Sequence, residues 1–215
     1  MGLNSYAVLS DGEHVDNPRL YRKSEKRLAH LQRRMSRKEK GGRIWVKAKT
    51  GVARLHEKIG NRRTDFLHKA SRRIADTYET VYVEDLKIRN MVKNRRLAKS
   101  INDASWGRFI RMIACKEEES GGQLIQVDAK GTTQMCSGCG ETVPKDLSQR
   151  IRVCPHCGLV LDRDHNAALN ILVRGREIRR EPPESRPVEE KATTPPSEVV
   201  QAHPSKQEAS LLVGR

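Results

Sequence analysis

With 215 residues and an apolar fraction of 36%, the chain has room for one ordinary domain plus an insert or a tail, and a large multidomain assembly is excluded. Lys and Arg number 42 against 27 Asp and Glu, a formal +15 that suits a partner with a phosphate backbone. No run of about 18 apolar residues and no secretory layout at the N-terminus occurs, so a soluble, cytoplasmic protein in a reducing compartment is expected.

In chain order, Tyr6–Leu9, the turn Ser10-Asp11-Gly12 and the stretch through Val15 read as a hairpin closed by Pro18. From about Ser24 the pattern turns helical: Leu28, Leu31 and Met35, then, after a Gly41-Gly42 break, Val52, Leu55, Ile59, Phe66, Ala70 and Ile74. Two long helices joined by a loop are predicted. They carry most of the excess charge, because residues 19–73 hold 20 basic and 4 acidic side chains, whereas residues 176–215 hold 7 of each. A solvated helical hairpin with that field calls for a polyanion to neutralise it, and Arg33, Arg34, Arg37, Lys38, Arg62 and Arg63 are candidate nucleic-acid contacts.

Thr80–Leu86 (TVYVEDL), short and rich in β-branched residues, predicts a buried strand of a parallel or mixed sheet. A basic loop follows, with Arg95 and Arg96 as further contact candidates. Next comes one helix from about Asn102 to Glu119, whose apolar face is Trp106, Phe109, Ile110 and Ile113. Cys115 on that helix reads as a small buried apolar residue. Gly121-Gly122 ends the helix, Leu124–Val127 reads as a strand, and Asp164–Val173 as a helix opened by an acid. Beyond Arg176 no aromatic residue occurs and six of the nine prolines gather, so 176–215 is expected to be a disordered tail.

Two CxxC knuckles, Cys136/Cys139 and Cys154/Cys157, stand 14 residues apart. Each tight knuckle can offer two thiolates to one ion, and four complete the tetrahedron of a structural Zn²⁺ site. Disulfides are disfavoured by the compartment, and a redox CxxC by the doubling of the motif. Such a closed site leaves no open position for substrate, so catalysis is to be sought among carboxylates. Glu84-Asp85 at a strand end and Asp162-Arg163-Asp164 at a helix start could hold two Mg²⁺ or Mn²⁺ ions for phosphodiester cleavage, or could be ordinary caps. Strand alternation does not choose between Glu84 and Asp85, because apolar residues lie on both faces.

The succession VEDL, NRRLAKSINDASWGRF, CSGC…CPHCG and DRDHNAALNIL resembles the TnpB (OrfB) family of insertion sequences, which is similar to the type V CRISPR effectors. The resemblance covers about residues 2–174. It implies an α/β fold: a RuvC-type, RNase H-like core over 1–131 carrying a helical insertion at about 24–75, a zinc ribbon over 132–161, and the last core helix over 162–175. The implied activity is RNA-guided, Mg²⁺- or Mn²⁺-dependent cleavage of DNA by a transposon-associated endonuclease, with DNA and guide RNA as partners. Glu84 matches the family's second catalytic acid and Asp164 the third, with Asp162 as the runner-up.

The family's first catalytic Asp lies in a strand reading like G-I-D-x-G-L, ahead of the segment that resembles Gly2–Tyr6, and this sequence opens at Met1-Gly2-Leu3. The expectation is therefore a truncated core lacking its first, central strand, with catalysis impaired and the flanking strands left without a partner. Two alternatives are a nuclease-dead nucleic-acid-binding regulator and a full nuclease with a mis-called start.

Overall fold

The computed structural model describes residues 1–144, 149–180 and 207–212. Strands β1 (Ser5–Leu9) and β2 (His14–Asp16) pair antiparallel as the predicted hairpin, turning through Gly12 at φ +89°. Helix α1 (Leu20–Ser36) starts earlier than the expected Ser24. The reason is a cap supplied from far along the chain: the Asp103 carboxylate accepts the Tyr21 amide at 2.9 Å. An acid at a helix start satisfies an otherwise orphaned N–H and complements the helix dipole.

After the Gly41-Gly42 break, α2 (Arg43–Thr77) runs for 35 residues, about 52 Å at the α-helical rise. Leu20, Leu28, Leu55 and Ile59 form a small core between the two helices, which pack side by side. The lower half of α2 turns Leu67, Ala70 and Ile74 toward the main core.

Strand β3 (Tyr78–Glu84) follows with only the C-cap Tyr78 as a joint, and every residue but Glu79 is buried. A single turn, α3 (Ile88–Met91), leads into α4 (Ala98–Ala104) and α5 (Trp106–Glu119). The one helix expected from Asn102 is thus two, parted at Ser105, whose φ of +54° no α-helix tolerates. The break is fixed by tertiary bonds: Tyr6 Oη donates to the Ala104 carbonyl, and Asp103 is engaged by Tyr21 and Arg63. Cys115 lies on the outer side of α5 and is exposed, which corrects the expectation of a buried residue.

Strand β4 (Gln123–Val127) pairs parallel to β3, with Glu84 opposite Val127. Strands β5 (Ile151–Val153) and β6 (Val160–Asp162) form a separate two-stranded ribbon, and α6 (Arg163–Arg180) follows at once. Two expectations about the end of the chain need correction. The last helix continues past residue 175 to Arg180, and Gln207–Leu212 form a strand, β7; residues 181–206 and 213–215 lie outside the described residues.

The main sheet has the order β2-β1-β7-β3-β4, with β7 antiparallel to β1 and parallel to β3. Strand β7 thus lies between β1 and β3 and joins them in one sheet. Against one sheet face pack α2 and α5, around Tyr6, whose ring meets Phe66 and Phe109 edge-on at 4.9 and 5.1 Å. Against the other packs α6, through Ala167, Ala168 and Ile171 on Tyr82.

Candidate functional site

The two cysteine knuckles are built alike. In each, the amide of the residue after the second cysteine donates to the carbonyl of the first: Gly140 to Cys136 and Gly158 to Cys154, both at 2.9 Å. The amide of each first cysteine donates five residues on, to Glu141 and to Leu159. Gly140 and Gly158 take φ values of +78° and +74°, the left-handed conformation that glycine adopts without strain.

The four sulfurs lie within 4.8 Å of one another, with Cys136–Cys157 at 3.7 Å and Cys139–Cys154 at 3.6 Å. A tetrahedron of Zn–S bonds of about 2.3 Å has S···S edges of roughly 3.8 Å, which those two separations match, so the four thiols suit Zn²⁺. The electrostatics point the same way. The Cys154 thiol is pushed down to about 6, chiefly by the Cys157 amide, whereas Cys139 rises to about 12: the Glu141 amide favours its thiolate, but burial and three neighbouring sulfurs oppose it. Four thiolates this close need a cation. His156 is exposed and stands apart from this ligand set.

The ribbon is fastened to α6 through the Met135 carbonyl, which accepts from Asn166 Nδ2, Asn170 Nδ2 and Arg152 Nη1 at 2.8, 2.8 and 3.0 Å. Asn166 Oδ1 also takes the Ser137 amide, and Asn170 reaches the Thr132 carbonyl. Both residues bracketing Cys136 are therefore held by asparagines from the first turns of α6. Arg152 is fully buried and spends its guanidinium on the carbonyls of Thr133, Gln134 and Met135.

Asp164 opens the same helix. Along β3, Tyr82 faces α6, and Glu84, two residues on, shares that face. Along α6, Ala167 and Ala168 pack on Tyr82, and Asp164, three and four residues earlier, shares their stripe. The two carboxylates thus converge at the carboxyl end of β3. Glu84 is 3% exposed, and the fully buried Met1 amino group feels both charges: burial brings it down to about 5 against their upward pull.

Asp85 is exposed and ion-paired with Lys87. Asp162 accepts the amides of Asp164 and His165 at 2.8 and 3.2 Å and so acts as the helix cap. Arg163 Nε lies 3.4 Å from Asp164 Oδ1.

Among the basic candidates, Arg33, Arg34, Arg37 and Lys38 are exposed around the end of α1, Arg62 is exposed on α2, and Arg95 and Arg96 are exposed between α3 and α4. Arg63 is different: it binds Asp103 at 2.7 Å with only 21% of its side chain exposed, a tie between α2 and α4. Arg62 lines a cleft of about 170 Å³ between α1 and α2 together with Lys23, Arg27 and Lys58. Those three cations were not singled out from the sequence, although the spacing Lys23/Arg27 and Lys58/Arg62, four residues apart, puts each pair on one helix face.

Compared with known families, residues 1–95 match the IS605 OrfB model, described as a probable transposase, and residues 106–171 match the Cas12f1-like TNB domain. The chain belongs to the OrfB/TnpB family. Similar family members include a protein of Streptomyces pristinaespiralis, 43% identical over 81% of this chain and 44% of its own length, named provisionally as an RNA-guided DNA endonuclease. Another is InsQ of Escherichia coli K12, named in the same way, 34% identical over 82% of this chain and 48% of its own length. The chain spans about half the length of the curated relatives it matches.

A cryo-EM structure of a Cas12f1–sgRNA–target DNA complex aligns with a TM-score of 0.53 at 19% identity, over 74% of this chain and 43% of that one. The likeness is one of fold, a mixed α/β architecture. Among the described residues no helix is long and apolar enough to cross a membrane.

What the family motif DRDHNAALN does here is divided among its members. Asp162 caps, Asp164 opens the stripe that packs on Tyr82, Asn166 and Asn170 hold the ribbon, and Ala167 and Ala168 make room for Tyr82. Arg152, by contrast, lacked any signal in the sequence, since a lone arginine in a short strand looks like a solvated one.

Proposed function

We propose that this chain is the catalytic-core portion of a transposon-associated, RNA-guided, divalent-metal-dependent DNA endonuclease, built on an RNase H-like (RuvC) sheet and working in the cytoplasm. The convergence of Glu84 and Asp164 across the β3–α6 packing is the observation that carries this reading. Two carboxylates from different elements, meeting at a strand end, suit hard cations and a phosphodiester. Glu84 and Asp164 would hold Mg²⁺ or Mn²⁺, which when bound activates water and steadies the leaving oxygen. The chain's own contribution is to fix the two carboxylates: β3 and α6 set their separation through Tyr82, and the capped start of α6 sets the direction of Asp164. The zinc ribbon is structural, and the charge of α1 and α2 serves a guide RNA and its target strand.

Two converging acids are fewer oxygen ligands than a pair of ions needs, so weak catalysis by this polypeptide belongs to the same reading. Mn²⁺ titration by calorimetry tests the site, with Glu84→Gln and Asp164→Asn each expected to abolish the binding seen in the parent. Nicking of single- and double-stranded DNA in Mg²⁺ tests the chemistry. Binding unchanged in both variants would remove the metal site, and robust cleavage abolished by Glu84→Ala would overturn the weak-catalysis part alone. A nuclease-dead regulator has no observation favouring it over this reading.

A further inference from the structure

The chain has two Trp, four Tyr and two Phe, and all of these rings but one lie in or against an apolar core. The exception is Trp45. Trp106, the other tryptophan, is 1% exposed inside the main core, whereas Trp45 is half-buried on the first turn of α2 and belongs to no apolar cluster. The seam between α1 and α2 reaches Leu31 and Val52, and Trp45 stands seven residues beyond Val52, about 10 Å at the α-helical rise. The ring therefore contributes little to holding the two helices together.

Its surroundings indicate what would use it. Ile44 and Val46 beside it are 67% and 50% exposed, but successive helical residues are turned about 100° from one another, so the three form no continuous apolar stripe of the kind a partner helix needs. One turn on, Lys49 shares the side of Trp45, with its Nζ 5.3 Å from the ring centroid. Residues 37–50 hold six basic side chains and one acidic, and Arg37, Lys38, Lys40, Arg43, Lys47 and Lys49 are all exposed. None of the six has an ion-pair partner among the described residues.

A flat ring set among free cations suits one chemistry. A nucleobase offers a π-face that stacks on indole, and the phosphates on either side of it call for Lys and Arg. An unpaired base is required, because in a duplex both faces are already covered. We propose that Trp45, edged by Lys49 and flanked by Arg43 and Lys47, is a stacking platform for an unpaired base of a single-stranded nucleic acid. It lies about 20 Å along α2 from Lys58 of the α1–α2 cleft, and adds a contact to bases where that cleft offers charge. The inference rests on the nucleic-acid part of the proposed function and on nothing at the carboxylates.

The probes are oligothymidylate of about 12 nucleotides, the same backbone with abasic sites, and a duplex of equal length, each titrated against the full chain by fluorescence anisotropy. Trp45→Ala should weaken oligothymidylate binding at least about fivefold, while abasic and duplex binding stay within about twofold of the parent. The salt slope should not change, because no phosphate contact is lost. Trp45→Phe should recover most of the affinity. Oligothymidylate should quench tryptophan emission in the parent and not in Trp45→Phe, whose remaining emission comes from the buried Trp106. Neither variant should shift the unfolding midpoint, since Trp45 lies outside every core cluster.

Equal losses on all three probes, or no loss on any, would overturn the platform and leave the nucleic-acid reading in place. Absence of salt-dependent binding to any probe would remove that reading as well. Quenching by phosphatidylserine vesicles without quenching by oligothymidylate, or a dimer that Trp45→Ala dissociates, would give the ring to a membrane or to a second copy and so overturn the proposal.

Discussion

Arg63 and Arg62 are sequence neighbours of identical chemistry, and the fold gives them opposite work. Arg62 is exposed at the mouth of the α1–α2 cleft, while Arg63 turns inward to Asp103, whose side chain is 6% exposed and also accepts the Tyr21 amide. Removing one member of a buried pair leaves the other charge uncompensated, so Asp103→Ala should destabilise the chain by about 3–5 kcal/mol in urea unfolding. The exposed pair Lys69–Asp65, at 2.9 Å, offers the contrast: Asp65→Ala should change stability by less than about 1 kcal/mol, because water and salt already screen it. Equal losses from the two substitutions would show that burial is not what separates these pairs. The sequence could not distinguish Arg62 from Arg63, since both lie on a basic helix and the deciding partner sits 40 residues away.

The elements legible in the sequence were those whose cause is local. The cysteine knuckles repeat a spacing, the hairpin has its turn residues, and the apolar face of α5 has its period, and all three stand where expected. What escaped has a distant cause: the early start of α1 needs Asp103, the break at Ser105 needs Tyr6, and β7 needs the edges of β1 and β3. Glu84 and Asp85 were likewise indistinguishable until α6 gave β3 a buried face.

Helix α6 carries two predictions, one where it meets the ribbon and one where it meets β3. Because Asn166 and Asn170 hold the residues flanking Cys136, Asn166→Ala should weaken zinc binding by about 10–100-fold in chelator competition, with no thiolate altered. An unchanged zinc affinity would separate the ribbon from α6. Gly175 presses its backbone against the Tyr82 ring, where an added Cβ would overlap ring carbons, so Gly175→Ala should cost about 1–3 kcal/mol by overpacking. Tyr82→Leu in the same chain should recover part of that loss; if it does not, the ring is not what the methyl strikes.

At the scale of the whole molecule, the basic field is segregated from the carboxylates at the end of β3. The helical hairpin of α1 and α2 projects a dense positive field, while Glu84 and Asp164 are drawn together on the opposite side of the sheet from α2 and α5. A field of that size binds a polyanion mainly by releasing its counterions, so log affinity for single-stranded RNA or DNA should fall linearly with log salt. The cleft cations Lys23, Arg27, Lys58 and Arg62 line one cleft between the two helices. Replacing Lys58 and Arg62 together by Ala should weaken binding to every sequence alike and flatten the slope by up to about 2, one for each phosphate no longer neutralised. Arg63→Ala should leave that slope unchanged while lowering the unfolding midpoint, because its guanidinium is spent on Asp103. If Arg63→Ala instead flattened the slope as much as Arg62→Ala, the pair would have to open when nucleic acid binds, and the division between structural and binding arginines on α2 would fail.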